Sequence, residues 1–229
     1  MQLNTIITMQ TEELEYIKKK FPFVTDKQLS QFAMLPSLYK DWNSKINVIS
    51  RKDTDNIFIH HILHSLSIAM ITDFNDNTYV LDVGTGGGFP GIPLAIMFPN
   101  AKFHLIDRIA KKIKVVNAIK DTLELKNVVA DQLPCEEDKQ KYDFIVSRAV
   151  TNLPDFLKIT KNCLKFRVES LKNENSKQLN NGILYLKGDN VVEELKDYKG
   201  KYTIYNISDF FEDEFFVTKR IVYLPFEKR

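Results

Sequence analysis

The chain has 229 residues, of which 44% are hydrophobic and 27% charged, a composition typical of a globular protein with one large core. A formal net charge of +2 is too weakly basic for a dedicated nucleic-acid-binding domain. No apolar run reaches the length of a bilayer span, and residues 1–10 lack the pattern of a secretory signal. Two cysteines without a Cys-x-x-Cys motif argue against a disulfide framework and a zinc site. We therefore expect a cytoplasmic protein without a metal and without a membrane partner. A monomer is expected as the oligomeric state, although composition does not determine it.

The first third of the chain is expected to be helical. Apolar residues recur at helical spacing through residues 11–72, and Asp53 is a candidate N-cap for a helix that ends near Ile71. We predict an N-terminal helical extension over residues 1–75, packed as one compact unit with a larger domain over residues 76–229.

From Tyr79 onward, short apolar runs alternate with amphipathic segments, which predicts an α/β fold with a doubly wound, mostly parallel sheet. Two strand-like runs near the C-terminus are expected to form an antiparallel pair at the sheet edge. A polar segment over residues 166–181 is expected to be a surface loop. The predicted strands are 79–83, 103–106, 127–130, 143–147, 183–187, 202–207 and 215–224, and the predicted helices are 90–98, 110–123, 153–164 and 191–198.

A glycine-rich turn follows the first predicted strand. The sequence passes from apolar residues through Gly84, Gly86 and Gly88 into a helix that has proline in its first turn. Glycine permits positive φ and lets a ligand approach without a Cβ in between. In a doubly wound sheet this turn lies at the carboxyl ends of the strands, where ligands bind. A tight turn needed for packing alone is the alternative, but the strand and helix on either side favour a nucleoside cofactor.

Two carboxylates narrow the class of cofactor. Asp107 ends the next strand, 23 residues after Gly84, where a carboxylate can accept both hydroxyl groups of a ribose. Asp82 precedes the first glycine, and its charge would repel a pyrophosphate but suits the ammonium group of S-adenosylmethionine. Stabilisation of the turn is a second role for Asp82, compatible with the first. These residues favour S-adenosylmethionine over a dinucleotide.

Arg148 and three histidines are further candidates for a functional role. Arg148 ends the fourth strand, so we expect it to face the same crevice and to bind a carboxylate or phosphate, with a surface arginine as the alternative. His60 and His64 share one helix face and cluster with His61, and a surface or interface role is favoured over a metal site. His104 lies inside a predicted strand and is expected to be structural.

Other candidates carry weaker arguments. Pro134–Cys135 resembles the nucleophile motif of cytosine-C5 methyltransferases but precedes the fourth strand instead of following it, so a loop thiol is favoured. Trp42, Asn43 and Asn47 either bind a nucleic-acid base or pack the N-terminal helices onto the sheet. Basic residues are candidates for nucleic-acid contacts, although a solvated surface is the commoner explanation. These residues are Lys18–Lys20, Arg51–Lys52, Arg108, Lys111, Lys112 and Lys114.

The stretch Asp82–Ala95 resembles the signature of the bacterial 16S rRNA guanine-N7 methyltransferase family, also called the glucose-inhibited division protein B family. Four other segments are similar to further motifs of that family, so the resemblance covers roughly residues 30–224. The four segments are Trp42–Asn47, His61–Leu66, Val146–Ala149 and Leu186–Gly188.

The resemblance implies a Rossmann-like class I methyltransferase domain that transfers a methyl group from S-adenosylmethionine to N7 of one guanine in the decoding-region loop of 16S rRNA. It implies 16S rRNA or the 30S subunit as the partner. The cofactor contacts that it implies are Gly84, Phe89 and Arg148, with Cys135–Glu136 on the adenine side. His64 stands where the family often has aspartate. Together with Asp82, Gly86, Gly88 and Asp107, these residues form the predicted cofactor site.

Guanine N7 already carries a free lone pair, so a direct transfer needs no general base and depends on positioning. Arg148 and Lys187 are candidates for positioning the guanine. Candidates for contacts with RNA phosphates are Arg51, Lys111, Lys112 and Lys187. The alternatives are a methyltransferase that acts on another RNA, a protein or a small molecule, an NAD-dependent enzyme, and an RNA-binding scaffold with a degenerate pocket.

Overall fold

In the described part of the chain, the fold is built around a seven-stranded sheet. The computed structural model describes residues 2–50, 53, 55–148, 150–165, 177 and 179–226, with backbone alone for residues 2–10. The strand order is β3-β2-β1-β4-β5-β7-β6, parallel except for β7, which runs antiparallel to both of its neighbours. The predicted Rossmann-like fold is confirmed. The strands are β1 (Tyr79–Val83), β2 (Lys102–Asp107), β3 (Val128–Gln132), β4 (Phe144–Arg148), β5 (Gly182–Lys187), β6 (Thr203–Asn206) and β7 (Arg220–Pro225).

Helices cover both faces of the sheet. A π-helical turn, Phe58–Leu63, leads directly into α3, and short 3₁₀ segments cover Cys135–Glu137, Ile207–Asp209 and Glu214–Thr218. The α-helices are α1 (Gln2–Lys20), α2 (Asp26–Lys45), α3 (His64–Ile71), α4 (Gly91–Met97), α5 (Ala110–Thr122), α6 (Leu153–Thr160) and α7 (Val191–Glu194).

The start of α2 is fixed by a capping box that also reaches the sheet domain. The Thr25 hydroxyl accepts a hydrogen bond from the Gln28 N–H, and the Gln28 side chain accepts one from the Thr25 N–H. The amide nitrogen of Gln28 also donates to the carbonyl oxygens of Ile96 and Met97 at the end of α4, each at 2.8 Å. The cap therefore sets both the first turn of α2 and its contact with α4.

Two hydrophobic clusters lie on opposite faces of the sheet. One joins the N-terminal helices to α4, α5 and one face of the strands, with Phe32, Leu35 and Leu105 among its fully buried members. The other joins α6 and α7 to the opposite face, with Phe156 and Val191 at its centre. Because α1 and α2 share a cluster with β1, they are packed onto the sheet. The division at residue 75 stays a prediction.

Two local predictions are wrong. Asp53 does not cap a helix, because the helical segment begins four to five residues later, and the Asp53 carboxylate binds Ser50 and His60 instead. The run 215–224 is not one strand, because Asp213 caps a 3₁₀ turn over Glu214–Thr218 before β7 begins. Arg51, Lys52, Ala149 and most of the predicted loop 166–181 lie outside the described residues.

Candidate active site

A cavity of about 690 Å³ opens at the carboxyl ends of β1, β2 and β4. It lies beside the point between β1 and β4 where the strand order reverses, the usual place for a ligand in a doubly wound sheet. Of the predicted cofactor residues, all but Asp82 and Gly88 line it. Those that line it are Gly84, Gly86, Phe89, Asp107, Cys135, Glu136 and Arg148.

The three glycines of the turn all have positive φ but face different surroundings. A Cβ on Gly84 (φ +66°) would lie 2.5 Å from Val150 Cγ2, so the turn and the segment after β4 are in close contact here. A Cβ on Gly86 (φ +60°) would meet nothing closer than the Gly84 carbonyl oxygen at 4.0 Å. At Gly88 (φ +101°) it would lie 2.7 Å from Ile92 Cγ1, away from the cavity. Gly86 therefore presents bare backbone to the cavity, whereas Gly88 allows close packing.

Asp107 joins the end of β2 to the glycine turn. Its Oδ2 accepts a hydrogen bond from the Gly86 N–H and its Oδ1 one from the Ile109 N–H, each at 2.9 Å. The ammonium group of Lys112 lies 3.8 Å from Oδ2. The carboxylate is thus fixed in place at the cavity wall, where it can accept hydroxyl groups of a ribose.

Asp82 lies beneath the turn and does not line the cavity. Its Oδ2 accepts hydrogen bonds from the Thr85 hydroxyl at 2.6 Å and the Gly91 N–H at 2.8 Å. Burial raises the pKa of this carboxyl to about 7. Its Oδ1 is buried without a hydrogen-bond partner among the described residues. The stabilisation of the turn is therefore visible, and a contact between Asp82 and the cofactor stays a prediction.

Arg148 lines the cavity from the end of β4 and is held by the N-terminal region. Its Nη1 donates to the His60 carbonyl oxygen at 3.1 Å, and its Nη2 donates to His61 Nδ1 at 2.7 Å. The guanidinium carbon lies 5.1 Å from the centre of the Phe89 ring. Burial lowers the pKa of Arg148 to about 10, so the side chain is charged at neutral pH. The N-terminal helices thus supply two of the acceptors that orient this arginine.

The histidine cluster is internal. Burial and the nearby Arg148 lower the pKa of His61 to about 3, and His64, which is also buried, has a lowered pKa for the same reasons. The His60 ring stacks on Phe215 at 4.0 Å. A surface role is therefore wrong for His61 and His64, because aromatic rings and Arg148 cover them. Among the described residues no group of histidine, cysteine and acidic side chains could hold a metal ion.

The expected adenine side lies beyond β3. Leu133, Cys135 and Ile109 provide apolar walls, and Glu136 forms an ion pair with Arg108 at the rim. The Cys135 thiol is buried 3.6 Å from that of Cys163, and their hydrogen bond together with burial raises the pKa of Cys135. A protonated thiol in this position is a poor nucleophile, which agrees with the interpretation of Cys135 as a wall residue.

Lys187 lies close to the site but does not line the cavity. Its side chain is 9% exposed, and its ammonium group binds Glu194 Oε1 at 2.8 Å and the Thr151 carbonyl oxygen at 3.1 Å. The ammonium group that was expected to bind RNA or guanine is therefore already bound to two protein groups. Lys111 is exposed on α5, and Arg51 lies outside the described residues.

Two residues of the predicted base-binding motif are engaged in packing. The Asn43 side chain accepts hydrogen bonds from the Val48 and Ile49 N–H groups, which fixes the chain after α2. Trp42 packs against the large hydrophobic cluster, and the Lys45 ammonium group lies 5.3 Å from the centre of its ring. His104 is buried in β2 and binds Tyr142 and Asp131, as expected for a structural residue.

Several site residues were not predicted from the sequence. Tyr39 on α2 donates to the Gly87 carbonyl oxygen at 2.6 Å, and its ring lies 4.6 Å from that of Phe89. Val48 lines the cavity from the loop after α2, and Val150 and Thr151 line it after β4. Only the last two had a usable signal, because residues that follow a parallel strand face the site.

The lining suits a nucleoside cofactor that ends in an amino acid. A carboxylate for the ribose, apolar walls beyond β3 and exposed backbone at Gly86 meet in one cavity. Dinucleotide sites need a helix N-terminus close to the pyrophosphate. Here α4 begins at Gly91, whose N–H is bound by the buried Asp82 carboxylate. The geometry therefore favours S-adenosylmethionine.

Comparison with known proteins agrees with this geometry. The family model described as rRNA small subunit methyltransferase G matches residues 27–215. The chain belongs to this family. A Flavobacterium psychrophilum protein named ribosomal RNA small subunit methyltransferase G is 57% identical over 93% of the chain and 98% of its own length. A protein of the same name from Bacteroides thetaiotaomicron is 50% identical over 92% of the chain and 98% of its own length.

Membership makes the chain an S-adenosylmethionine-dependent methyltransferase. Solved structures show the same fold. M. jannaschii TYW2 in complex with AdoMet has a TM-score of 0.52, with 19% identity over 71% of this chain and 74% of that one. An Aquifex aeolicus SAM-dependent methyltransferase has a TM-score of 0.51, with 15% identity over 82% of this chain and 97% of that one. Among the described residues, no helix is long and apolar enough to cross a membrane.

Proposed function

We propose that the chain transfers the methyl group of S-adenosylmethionine to N7 of one guanine in the decoding-region loop of 16S rRNA. The observation that carries the proposal is the cavity that brings the glycine turn, Asp107 and Arg148 together in a member of an rRNA methyltransferase family. The relatives with about half or more identical residues share a name that assigns them to small-subunit rRNA.

The cofactor side of the cavity lies around β1, β2 and β3. Asp107 accepts the ribose hydroxyl groups, and the side chains of Ile109, Leu133 and Cys135 enclose the adenine. Bare backbone at Gly86 lets the amino-acid end approach the turn. When bound, S-adenosylmethionine supplies an electrophilic methyl group on a sulfonium. The protein contributes orientation and exclusion of water around that group.

The acceptor side lies around β4, where Arg148, Val150, Thr151 and Asp155 line the cavity. The N7 lone pair forms the new N–CH₃ bond as the S–CH₃ bond breaks, so no proton needs to leave N7. Asp155 accepts a hydrogen bond from the Asn152 side chain, and Arg148 stays charged. The described lining therefore provides charge and shape for positioning, as a direct transfer requires.

The proposal extends to the partner and the compartment. A guanine within folded rRNA must leave its stack to enter the cavity. The partner is therefore 16S rRNA, either free or within a 30S subunit. The enzyme acts in the cytoplasm as a monomer. Sedimentation of the free protein and of its mixture with 30S subunits tests both the oligomeric state and the partner.

The decisive experiment supplies labelled S-adenosylmethionine to 30S subunits that lack the modification. We expect label in N7-methylguanine at one position of the decoding-region loop, detected by nucleoside mass spectrometry and mapped by cleavage at the modified base. Asp107→Asn should weaken cofactor binding about tenfold or more, because the charged acceptor is lost. Label in another nucleoside, a protein or a small molecule would contradict the proposed target.

A further inference from the structure

The segment over residues 150–153, which follows β4 and ends at the first residue of α6, forms one wall of the cavity. Val150 stands directly against the glycine turn, and Thr151 lines the cavity beside it. The sheet order places this wall on the β4 side of β1, whereas Asp107 and the adenine side lie towards β2 and β3. A shift of this segment would therefore move the acceptor side of the cavity more than the cofactor side.

Two side chains of β5 bind the backbone of Thr151. The Tyr185 hydroxyl donates to the Thr151 carbonyl oxygen at 2.7 Å and accepts from the Thr151 N–H at 3.1 Å. Lys187 donates to the same carbonyl oxygen at 3.1 Å. Both peptide groups of this cavity residue are thus fixed by side chains from the neighbouring strand.

Glu194 of α7 completes the arrangement. Its Oε2 accepts a hydrogen bond from the Leu153 N–H at 2.7 Å, which fixes the first residue of α6. Its Oε1 forms the 2.8 Å ion pair with Lys187, and the two side chains are only 15% and 9% exposed. A buried pair of this kind adds little stability over an apolar pair, but removal of one partner is costly. Besides its effect on stability, the pair of Lys187 and Glu194 fixes the positions of residues 151 and 153.

We propose that Tyr185, Lys187 and Glu194 are positioning residues for the methyl acceptor, and we call them the anchoring side chains. They hold the segment 150–153 so that the acceptor base meets the cofactor in a productive orientation. This inference rests on the proposed function for the identity of the acceptor. Lys187 acts through the Thr151 backbone, because its ammonium group already has two protein partners.

The test compares Tyr185→Phe, Lys187→Met and Glu194→Gln with the double variant Lys187→Met/Glu194→Gln. Lys196→Met is the matched control, because Lys196 pairs with Glu193 of α7, next to Glu194, but is 71% exposed. Four measurements are made: thermal unfolding, cofactor affinity by calorimetry, steady-state kinetics (kcat and KM) with 30S subunits, and hydrogen exchange of the Thr151 and Leu153 amides.

We expect Lys187→Met to lower kcat/KM for 30S subunits about ten- to hundredfold, since small displacements of a reacting group have effects of this size. Its cofactor affinity should fall much less than kcat/KM, because the contacts of Lys187 are with Thr151 and Glu194 and not with Asp107 or the adenine side. Tyr185→Phe keeps the ring that stacks on Phe156 and should speed exchange at Thr151. Lys196→Met should behave as the wild type.

The double variant separates positioning from stability. Neutral glutamine leaves no unpaired buried charge and still accepts the Leu153 N–H, so the melting temperature should recover relative to Lys187→Met. The defect in kcat/KM should persist, because the Thr151 carbonyl oxygen still lacks its ammonium donor. Recovery of kcat/KM in step with the melting temperature would overturn the inference.

Failure of the proposed function has a different signature. If wild-type protein does not methylate 30S subunits, the function is wrong, while exchange at Thr151 and Leu153 still tests the anchoring side chains. Faster exchange there in Tyr185→Phe and Lys187→Met, with unchanged exchange at the glycine turn, supports anchoring. Unchanged exchange at both amides refutes it.

Discussion

Gly86 and Gly88 share a positive φ but have different surroundings, so alanine should chiefly weaken cofactor binding at Gly86 and chiefly destabilise the fold at Gly88. The left-handed conformation costs alanine about 1–2 kcal/mol at either position. A Cβ on Gly86 points into open space, with the Gly84 carbonyl oxygen 4.0 Å away, so no further cost arises. A Cβ on Gly88 would lie 2.7 Å from Ile92 Cγ1 and 3.1 Å from Tyr39 Oη, which adds an overpacking cost of about 1–3 kcal/mol.

Since about 1 kcal/mol shifts the melting temperature of a chain of this size by about 2–4 °C, Gly86→Ala should lose about 2–8 °C and Gly88→Ala about 4–20 °C. In Gly86→Ala the methyl group occupies space that the cofactor needs, so the affinity for S-adenosylmethionine should fall about tenfold or more, or about 1.4 kcal/mol. Gly86→Val should lose binding altogether. Calorimetric titration and thermal unfolding measure the two effects. Wild-type affinity in Gly86→Ala, or a Gly88→Ala variant that is stable but does not bind, would refute this assignment of the two glycines.

Three further predictions concern residues of the site. Because the folded-state pKa of His61 is about 3, only the unfolded chain gains a proton on this histidine as the pH falls from 6.5, so stability is lost on acidification. His61→Gln should therefore reduce the pH dependence of the unfolding free energy between pH 6 and 4 by up to about 1.4 kcal/mol per pH unit. Unfolding free energies from urea titrations at several pH values that show an unchanged pH dependence would contradict this. Arg148→Lys should destabilise the fold by about 1–3 kcal/mol and lower turnover, because one ammonium group cannot reach both the His60 carbonyl oxygen and His61 Nδ1. Full activity on 30S subunits would show that the two-pronged guanidinium contact is dispensable. Cys135→Ala should keep turnover within about tenfold of the wild type, because the thiol lines the cavity wall and forms no covalent intermediate. Complete loss of methyl transfer with intact cofactor binding would argue that Cys135 is a nucleophile.

The sequence was sufficient for features set by local pattern and by topology. The strand, the glycines and the helix after them predicted the turn, because each has a local conformational reason that the sequence displays. Asp107 and Arg148 were placed correctly at the cavity because the ends of parallel strands lie on one edge of a sheet. Their roles in binding stay predictions.

Features that depend on distant partners could not be predicted. Lys187 resembles a free basic residue in the sequence, since nothing in the pattern indicates that Glu194 accepts its ion pair across the β5–α7 connection. His61 and Arg148 are 87 positions apart, and their contact depends on how the N-terminal helices pack on the sheet. Tyr39 reaches the turn from 48 positions away. Periodicity identifies which residues are buried but not which polar groups meet inside.

The place of β7 has a consequence for how the chain acquires its fold. It is the last of the described strands in chain order, yet it lies inside the sheet and pairs with β5 on one side and β6 on the other. During synthesis, therefore, the edges of β5 and β6 that pair with β7 stay unpaired until residues 220–225 have left the ribosome. Its alternating side chains also finish both cores, Ile221 in one and Val222 in the other. A nascent chain that stops before residue 220 would therefore carry an incomplete sheet with exposed strand edges, which favours aggregation.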